Sequence, residues 1–254
     1  MRALASLAVE LRGGRSVVRD LRSQPPITLI PRRAATTSAD GTAVVHLVGS
    51  ATMPMGGDRV DLHVRVGTGA SLRLSGTAAT VALPGMRAGH STARVHVEVE
   101  RGGTVEYLPE ATVISARADH RAELRIDLAA DARVRCREVL VLGRHGERPG
   151  SLTTTTHLRR DGEPLLRQRL DIGEHRVAAS AGYLAGARVL ATETLVWGGD
   201  PEEPVSGDWW SLVPLARGGA MATSVGADAV TAQRRLAEAV GHHPHADALT
   251  REVW

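Results

Sequence analysis

Phenylalanine, lysine and asparagine are all absent from this chain of 254 residues, and cysteine occurs once. The three missing residues share AT-rich codons, so a GC-rich genome pressing on residue choice accounts for the gap without any functional message. A lone Cys136 excludes an intrachain disulfide and gives no sign of an oxidising compartment. Aromatic residues amount to two Tyr and four Trp, three of the Trp beyond residue 200. The stacking platforms that single-stranded nucleic acid requires are therefore missing, and sugar clefts need the same kind of platform. The formal net charge of +3 is carried wholly by arginine and interleaved with Asp and Glu, so the high pI is no clustered nucleic-acid footprint. No segment approaches the ~20 consecutive apolar residues of a membrane-spanning helix. Met1 to Leu11 is a short apolar run stopped by Glu10 and Arg12, without a signal-peptide cleavage pattern. The expectation is a cytoplasmic protein with neither nucleic acid nor membrane as partner.

What remains to build a core is Val, Leu, Ala and a few Ile and Met, residues that suit pleated surfaces. Val60, Leu62, Val64 and Val66 share one face of a strand, with Asp61, His63 and Arg65 on the other. The same alternation recurs over Val95 to Glu100 and Leu124 to Leu128. Each of these strands runs into a small-residue turn, Gly67-Thr68-Gly69-Ala70, Arg101-Gly102-Gly103-Thr104 or Ala129-Ala130-Asp131-Ala132, and then a further strand. Strand, turn, strand thus repeats at roughly thirty-residue spacing. Val105 to Ile114 reads as another strand, Arg133 to Leu142 as one covered on both faces in its apolar second half, and Ser151 to Leu158, Pro164 to Ile172 and Arg188 to Trp197 as further candidates.

Helix is expected over Ala229 to Val240, capped by Asp228 with Val230, Leu236 and Val240 on one face, and in a last short stretch from Ala246 to Trp254. Asp208 to Ala216 reads as a helical turn or packed loop. Arg32 to Gly41, Gly146 to Gly150 and Gly198 to Gly207 read as loops. Many strands with few, mainly C-terminal helices imply an all-β architecture of stacked or coiled sheets in one domain.

Several residues can carry chemistry. Met55-Gly56-Gly57-Asp58 precedes a strand, where glycines relieve a tight turn and Asp caps amides. Glu110 follows Pro109 at a strand bend. Glu138 opens the apolar run Val139 to Leu142, where a carboxylate costs desolvation unless Arg135, Arg137 or Arg144 pairs with it. Arg144 suits a fork donor to carbonyls or a carboxylate. His242, His243 and His245 crowd together, but Pro244 and the terminal setting favour a solvated tail over a metal site. Cys136 falls on the strand face opposite Arg133, Arg135 and Arg137, as a buried thiol. No GxSxG elbow, Walker loop, HExxH or paired-Cys motif occurs, so no common enzyme signature is present.

Gln24-Pro25-Pro26, Gly57-Asp58, Tyr107-Leu108-Pro109-Glu110, Glu138 to Glu147 with its Gly143-Arg144 and Gly146-Glu147, and the closing segment to Trp254 together resemble the urease accessory protein family UreD, also called UreH. The resemblance spans most of the chain. It implies a β-helix-like stack of strands over residues 1–254, no catalysis of its own, and a part in assembling the nickel centre of urease. It further implies a surface for the urease apoprotein and another for UreF, through which the GTPase UreG is recruited. Nickel would bind transiently, with no tightly held cofactor, and Asp58, Glu110 and Glu138 would offer oxygen ligands on a weak path. Gly56, Gly57, Leu108, Pro109, Gly143, Arg144 and Glu147 would be structural or partner contacts. Two stretches depart from the family: Val48 to Pro54 lacks its Asn and extra glycines, and Gly76 to Thr80 only partly matches its Thr-Thr-Gln segment. Two rivals stay open, a carbohydrate-active β-helix enzyme using Asp58, Glu110 and Glu138, and a freestanding nickel-binding protein using the three histidines.

Overall fold

The computed structural model describes residues 1–32, 41–86, 89–173, 180 and 183–249. Its strands are β1 (Arg2–Arg12), β2 (Arg15–Arg22), β3 (Ile27–Pro31), β4 (Ala43–Gly49), β5 (Arg59–Val66), β6 (Ser71–Gly76), β7 (Thr80–Ala82), β8 (Ser91–Val99), β9 (Thr104–Leu108), β10 (Thr112–Ile114), β11 (Asp119–Leu128), β12 (Arg133–Leu142), β13 (Ser151–Arg160), β14 (Glu163–Ile172), β15 (Val189–Val196), β16 (Val205–Gly207), β17 (Trp210–Pro214) and β18 (Ala220–Gly226). Two helices follow, α1 (Ala229–Gly241) and α2 (Ala246–Leu249). The first sheet runs β14-β13-β11-β8-β5-β1-β2 and the second β16-β17-β18-β15-β12-β9-β6-β4-β3, with β10 and β7 branching from β12.

From β4 to β13 the chain crosses repeatedly between the sheets. It lays β5, β8, β11 and β13 in parallel in one and β4, β6, β9 and β12 in parallel in the other. This is the expected all-β, β-helix-like stack. The predicted turns are its corners: Ala70 N donates to Gly67 O at 3.0 Å, Gly103 N to Glu100 O at 2.9 Å and Ala132 N to Ala129 O at 3.1 Å. Successive corners are tied together, Gly69 N to Arg101 O and Gly102 N to the Asp131 carboxylate, each at 2.9 Å. Gly69 and Gly102 take φ of +67° and +63°, a conformation that excludes most side chains.

Alternation decides what lies inside. Register aligns Leu7, Val64, Val97, Ile126 and Leu158 in one row, and Val9, Val66, Val99 and Leu128 in the next; all are buried. From the second sheet Leu74, Tyr107 and Cys136 face them in the same apolar cluster. The outer face of that sheet carries Arg73, Glu106 and Arg135 side by side. Arg73 Nη2 lies 2.7 Å from Glu106, Arg135 Nε 2.6 Å from Glu193 and Arg137 Nε 2.8 Å from Glu193. Arg135 also donates to the carbonyl of Leu249 at the end of α2.

The structure adds to or changes the sequence reading at several places. Met1 to Leu11 is strand β1, with Ala3, Ala5, Leu7 and Val9 inward. Val105 to Ile114 divides at Pro109 into β9 and β10. Asp208 to Ala216 contains strand β17, in which Trp210 and Leu212 are buried and Ser211 is not, and the loop expected at Gly198 to Gly207 ends in β16. Helix α1 starts at its predicted cap, Thr231 N donating to Asp228 at 2.8 Å. Its buried face, however, is Ala232, Leu236, Ala239 and Val240. Val230 is 77% exposed because six residues at about 100° each carry it well away from Leu236. Leu249 of α2 is buried; residues 250–254, including Trp254, and 33–40 of the predicted loop lie outside the described residues.

The helix supplies a direct test of this packing. Leu236→Ala is expected to cost about 2–5 kcal/mol of unfolding free energy, and Val230→Ala no more than about 0.5 kcal/mol, both read from urea titrations.

Candidate functional site

Beyond an intervening row of Ala5, Leu62, Val95 and Leu124, the next inward row is built differently. In it Ala3, Val60, Ala93, Ala122 and Thr154 align, mostly small side chains where the packed row of Leu7, Val64, Val97, Ile126 and Leu158 carries Leu, Ile and Val. A cavity of about 440 Å³ lies here between the sheets, lined by Val60, Ala93, Ala122 and Thr154 from one and by Gly76, Tyr107, Glu138 and Val139 from the other. Glu110 and His120 also line it. Two of the carboxylates expected on a nickel path thus meet in one cavity.

Glu110 is exposed, and its backbone crosses directly over Gly76. A Cβ on Gly76 would lie 2.4 Å from Glu110 N, so only glycine permits the approach. Glu138 is reached through the cavity and is otherwise ringed by protein. Burial pushes its carboxyl pKa up, opposed by the hydroxyl of Thr154, which donates to Oε1 at 2.7 Å. No cation pairs with Glu138 among the described residues: Arg135 and Arg137 fall on the other face of β12 and bind Glu193, and Arg144 binds Glu147 at 2.5 Å. The arginine pairing weighed from sequence is therefore absent among the described residues, because alternation separates Arg135 and Arg137 from Glu138 and the turn after β12 commits Arg144 to Glu147. Tyr107 and Cys136, paired in register, also have their pKa values pushed up by burial, and the thiol is free and buried.

His120 is the wall residue that sequence reading passed over. It is 3% exposed, with Nδ1 2.9 Å from Ser91 Oγ. Burial draws its pKa down to about 4. Extending the alternation of Leu124, Ile126 and Leu128 back by four residues would have placed it inside, and the same step from Leu158 finds Thr154.

The family model described as UreD urease accessory protein matches residues 1–246. This chain belongs to the UreD family. Urease accessory protein UreD 1 of Saccharopolyspora erythraea is 75% identical over 255 residues and covers both chains fully. UreD of a Parafrankia species is 39% identical over 95% of this chain and 88% of its own length. That of Frankia alni is 36% identical over 93% and 91%.

The remaining residues that the UreD resemblance singled out lie apart from the cavity or shape its surroundings. Asp58 is 5% exposed and precedes β5 in line with Ser91, Thr92 N donating to its carbonyl at 2.8 Å. Its carboxylate holds the α-ammonium of Met1 at 2.5 Å and the amide of Met55 at 2.9 Å, outside the cavity lining. Gly57 has φ +90°, and a Cβ on Gly56 would meet Gly85 N and Gly89 O at 2.8 Å. Leu108 closes β9, and Pro109 lines the cavity. In the turn after β12, Gly143 has φ +81°. Glu147 is held down to a pKa of about 2 by Arg144, with help from the amides of Ala116 and Arg144. The guanidinium that gathers carbonyls there is Arg188, on Leu142, Gly143, Arg144 and Glu147.

The three histidines of the C-terminal segment do not converge on one point, although the ring centroids of His243 and His245 lie 6.0 Å apart. His242 stacks on Trp210 with ring centroids 5.0 Å apart. His243 is buried rather than solvated and accepts from His245 N at 3.1 Å, while His245 accepts from Gly199 N at 3.0 Å. Among the described residues no group of three His, Cys, Asp or Glu is placed to hold a metal ion.

Glu138 carries a pH signature. Its folded pKa exceeds the roughly 4.3 of an unfolded glutamate, so the native state holds the proton longer and stability falls as pH rises through that window. The melting-temperature gain of Glu138→Gln over the wild type should be near zero at pH 4, grow with pH, and level off once Glu138 is ionised in both states. Differential scanning fluorimetry across pH 4–8 measures it.

Proposed function

We propose that this chain acts in urease maturation as a single-domain, non-catalytic scaffold through which nickel reaches the urease active site. The observation that carries this reading is a carboxyl group without a cationic partner in the wall of an internal cavity. Such a group costs desolvation, and a passing divalent cation would relieve that cost. Glu110 stands where the ion would enter from solvent, and Glu138 where it would be held inside. Oxygen ligands bind nickel less tightly than a closed set of imidazoles, which suits an ion that must be released. Asp58 would serve this path by fixing the strand start beside it. Nickel is then cargo, with no tightly bound cofactor.

The partners proposed with this role are the urease apoprotein, UreF, and UreG through UreF, acting together in the cytoplasm; membership of the UreD family supports them. No helix among the described residues is long and apolar enough to cross a membrane. The carbohydrate-enzyme reading has little support, since Tyr107 is the one aromatic ring besides His120 among the lining residues. The metal-store reading suffers because His242 stacks on Trp210 and because His243 Nδ1 and His245 Nε2 are already taken by backbone amides.

The experiment is co-expression with UreF, UreG and the urease subunits at limiting nickel, with nickel per urease active site read by mass spectrometry. Glu110→Gln together with Glu138→Gln should lower loading roughly tenfold, the scale of a lost metal-site contact, while co-purification with UreF and urease stays intact. Full loading by that double variant, or failure of the wild type to co-purify with either, would defeat the proposal.

A further inference from the structure

The cavity wall holds one nitrogen donor among its oxygens, and its surroundings fix how it is presented. Ser91 Oγ lies 3.4 Å from the carbonyl of Asp119 and 2.9 Å from His120 Nδ1. The hydroxyl has a single proton. Directed at the Asp119 carbonyl, it leaves Oγ to accept from Nδ1–H, the tautomer that keeps the lone pair on Nε2 and the one that a cation at Nε2 would select. Ser91 is 1% exposed, so water does not compete for this bond. No group among the described residues bonds Nε2, although Nδ1 is fully engaged. Metal-binding histidines share this arrangement, in which the far nitrogen donates to a fixed partner that sets the tautomer.

Position agrees with chemistry. His120 stands one strand over and two residues back from Thr154 in the register, about 8 Å between Cα atoms by sheet spacing, and Thr154 holds Glu138. An ion at Glu138 and an ion at His120 would occupy neighbouring stations in one cavity. Glu110 and Glu138 are hard oxygen ligands that also accept Mg²⁺ and Ca²⁺, whereas imidazole favours nickel and its neighbours.

Resting on the passage proposed above, we infer that His120 is its specificity-determining residue, a prearranged imidazole that admits nickel(II) and comparable nitrogen-seeking cations while giving Mg²⁺ and Ca²⁺ no foothold. Ser91 is the positioning residue that aims it. The carboxylates draw divalent cations in, and the imidazole decides which of them stays long enough to go on.

The test uses the full chain with UreF, UreG and urease, at fixed limiting nickel and rising Mg²⁺, and reads nickel in urease by mass spectrometry. His120→Asn keeps a donor near the Nδ1 position for Ser91 and removes Nε2; Ser91→Ala keeps the imidazole and removes its guide. The Mg²⁺ concentration that halves nickel loading should fall about tenfold or more in His120→Asn and by a smaller factor in Ser91→Ala, the scale of lost metal-site contacts. An unchanged Mg²⁺ dependence in both variants overturns the inference, and Ser91→Ala alone decides it should His120→Asn not fold. Glu138→Gln separates the two levels: if it blocks loading while the His120 and Ser91 variants keep wild-type Mg²⁺ dependence, the passage stands and the selectivity role falls. If Glu138→Gln loads normally, the passage itself is wrong.

Discussion

Parallel, in-register stacking is the constraint from which the rest of this molecule follows. Each rung sets its residues about 4.8 Å from the equivalent residues of the next, so the size and polarity chosen at one position are repeated as a row through the body. Rows of Val, Leu and Ile such as Leu7, Val64, Val97, Ile126 and Leu158 close the space between the sheets. The row of Ala3, Val60, Ala93, Ala122 and Thr154 leaves it open. A chain without phenylalanine has few side chains able to span such a gap, and Gly76 widens it from the opposite sheet. Small residues in that row thus open the space, and Leu62, Val95 and Leu124 of the next row together with the loop residues Ala51 to Pro54 and Ala78 to Ala79 complete the lining.

Strand β12 shows how the same alternation governs charge. Its residues Arg135, Cys136, Arg137 and Glu138 are consecutive, yet the two arginines lie outward on Glu106 and Glu193 and the thiol and carboxyl face in. Neither cation can neutralise the glutamate beside it, because a pleated strand sends neighbours to opposite sides. The outer arginines are in turn balanced by two buried glutamates, which frees the interior to keep a carboxyl whose partner comes from elsewhere.

Much of the fold was legible in the sequence. The alternating faces of β5, β8 and β11, the three corner turns, the doubly covered β12 and the Asp228 cap all rest on local rules that tertiary packing did not override. What escaped was non-local. The tilt of Val230 away from Leu236 is a matter of helical phase, and the strand at Trp210 read as a helical turn or packed loop because Trp209, Trp210 and Leu212 cluster in sequence. The cavity itself could not be read, since it depends on which residues on different rungs share a row. Glu110 and Glu138 drew notice as misplaced carboxylates, but His120, Ser91 and Thr154 have unremarkable neighbours in sequence and gain meaning only from the register.

The ends of the two sheets have a consequence for how copies of this chain behave toward one another. A stack of parallel rungs with open ends would invite a second molecule to continue it, strand upon strand. Here the parallel run is reversed at its borders by β2, β14 and β3, each antiparallel to its neighbour, and β16 ends the second sheet with three residues. Arg15, Arg19 and Arg22 on β2 and Arg167 and Arg169 on β14 are exposed, doing the gatekeeping that lysine does in other proteins. Fibre-like self-addition is thereby discouraged at the borders, and the sheet faces and corners are left as the ground on which unlike proteins can meet this one.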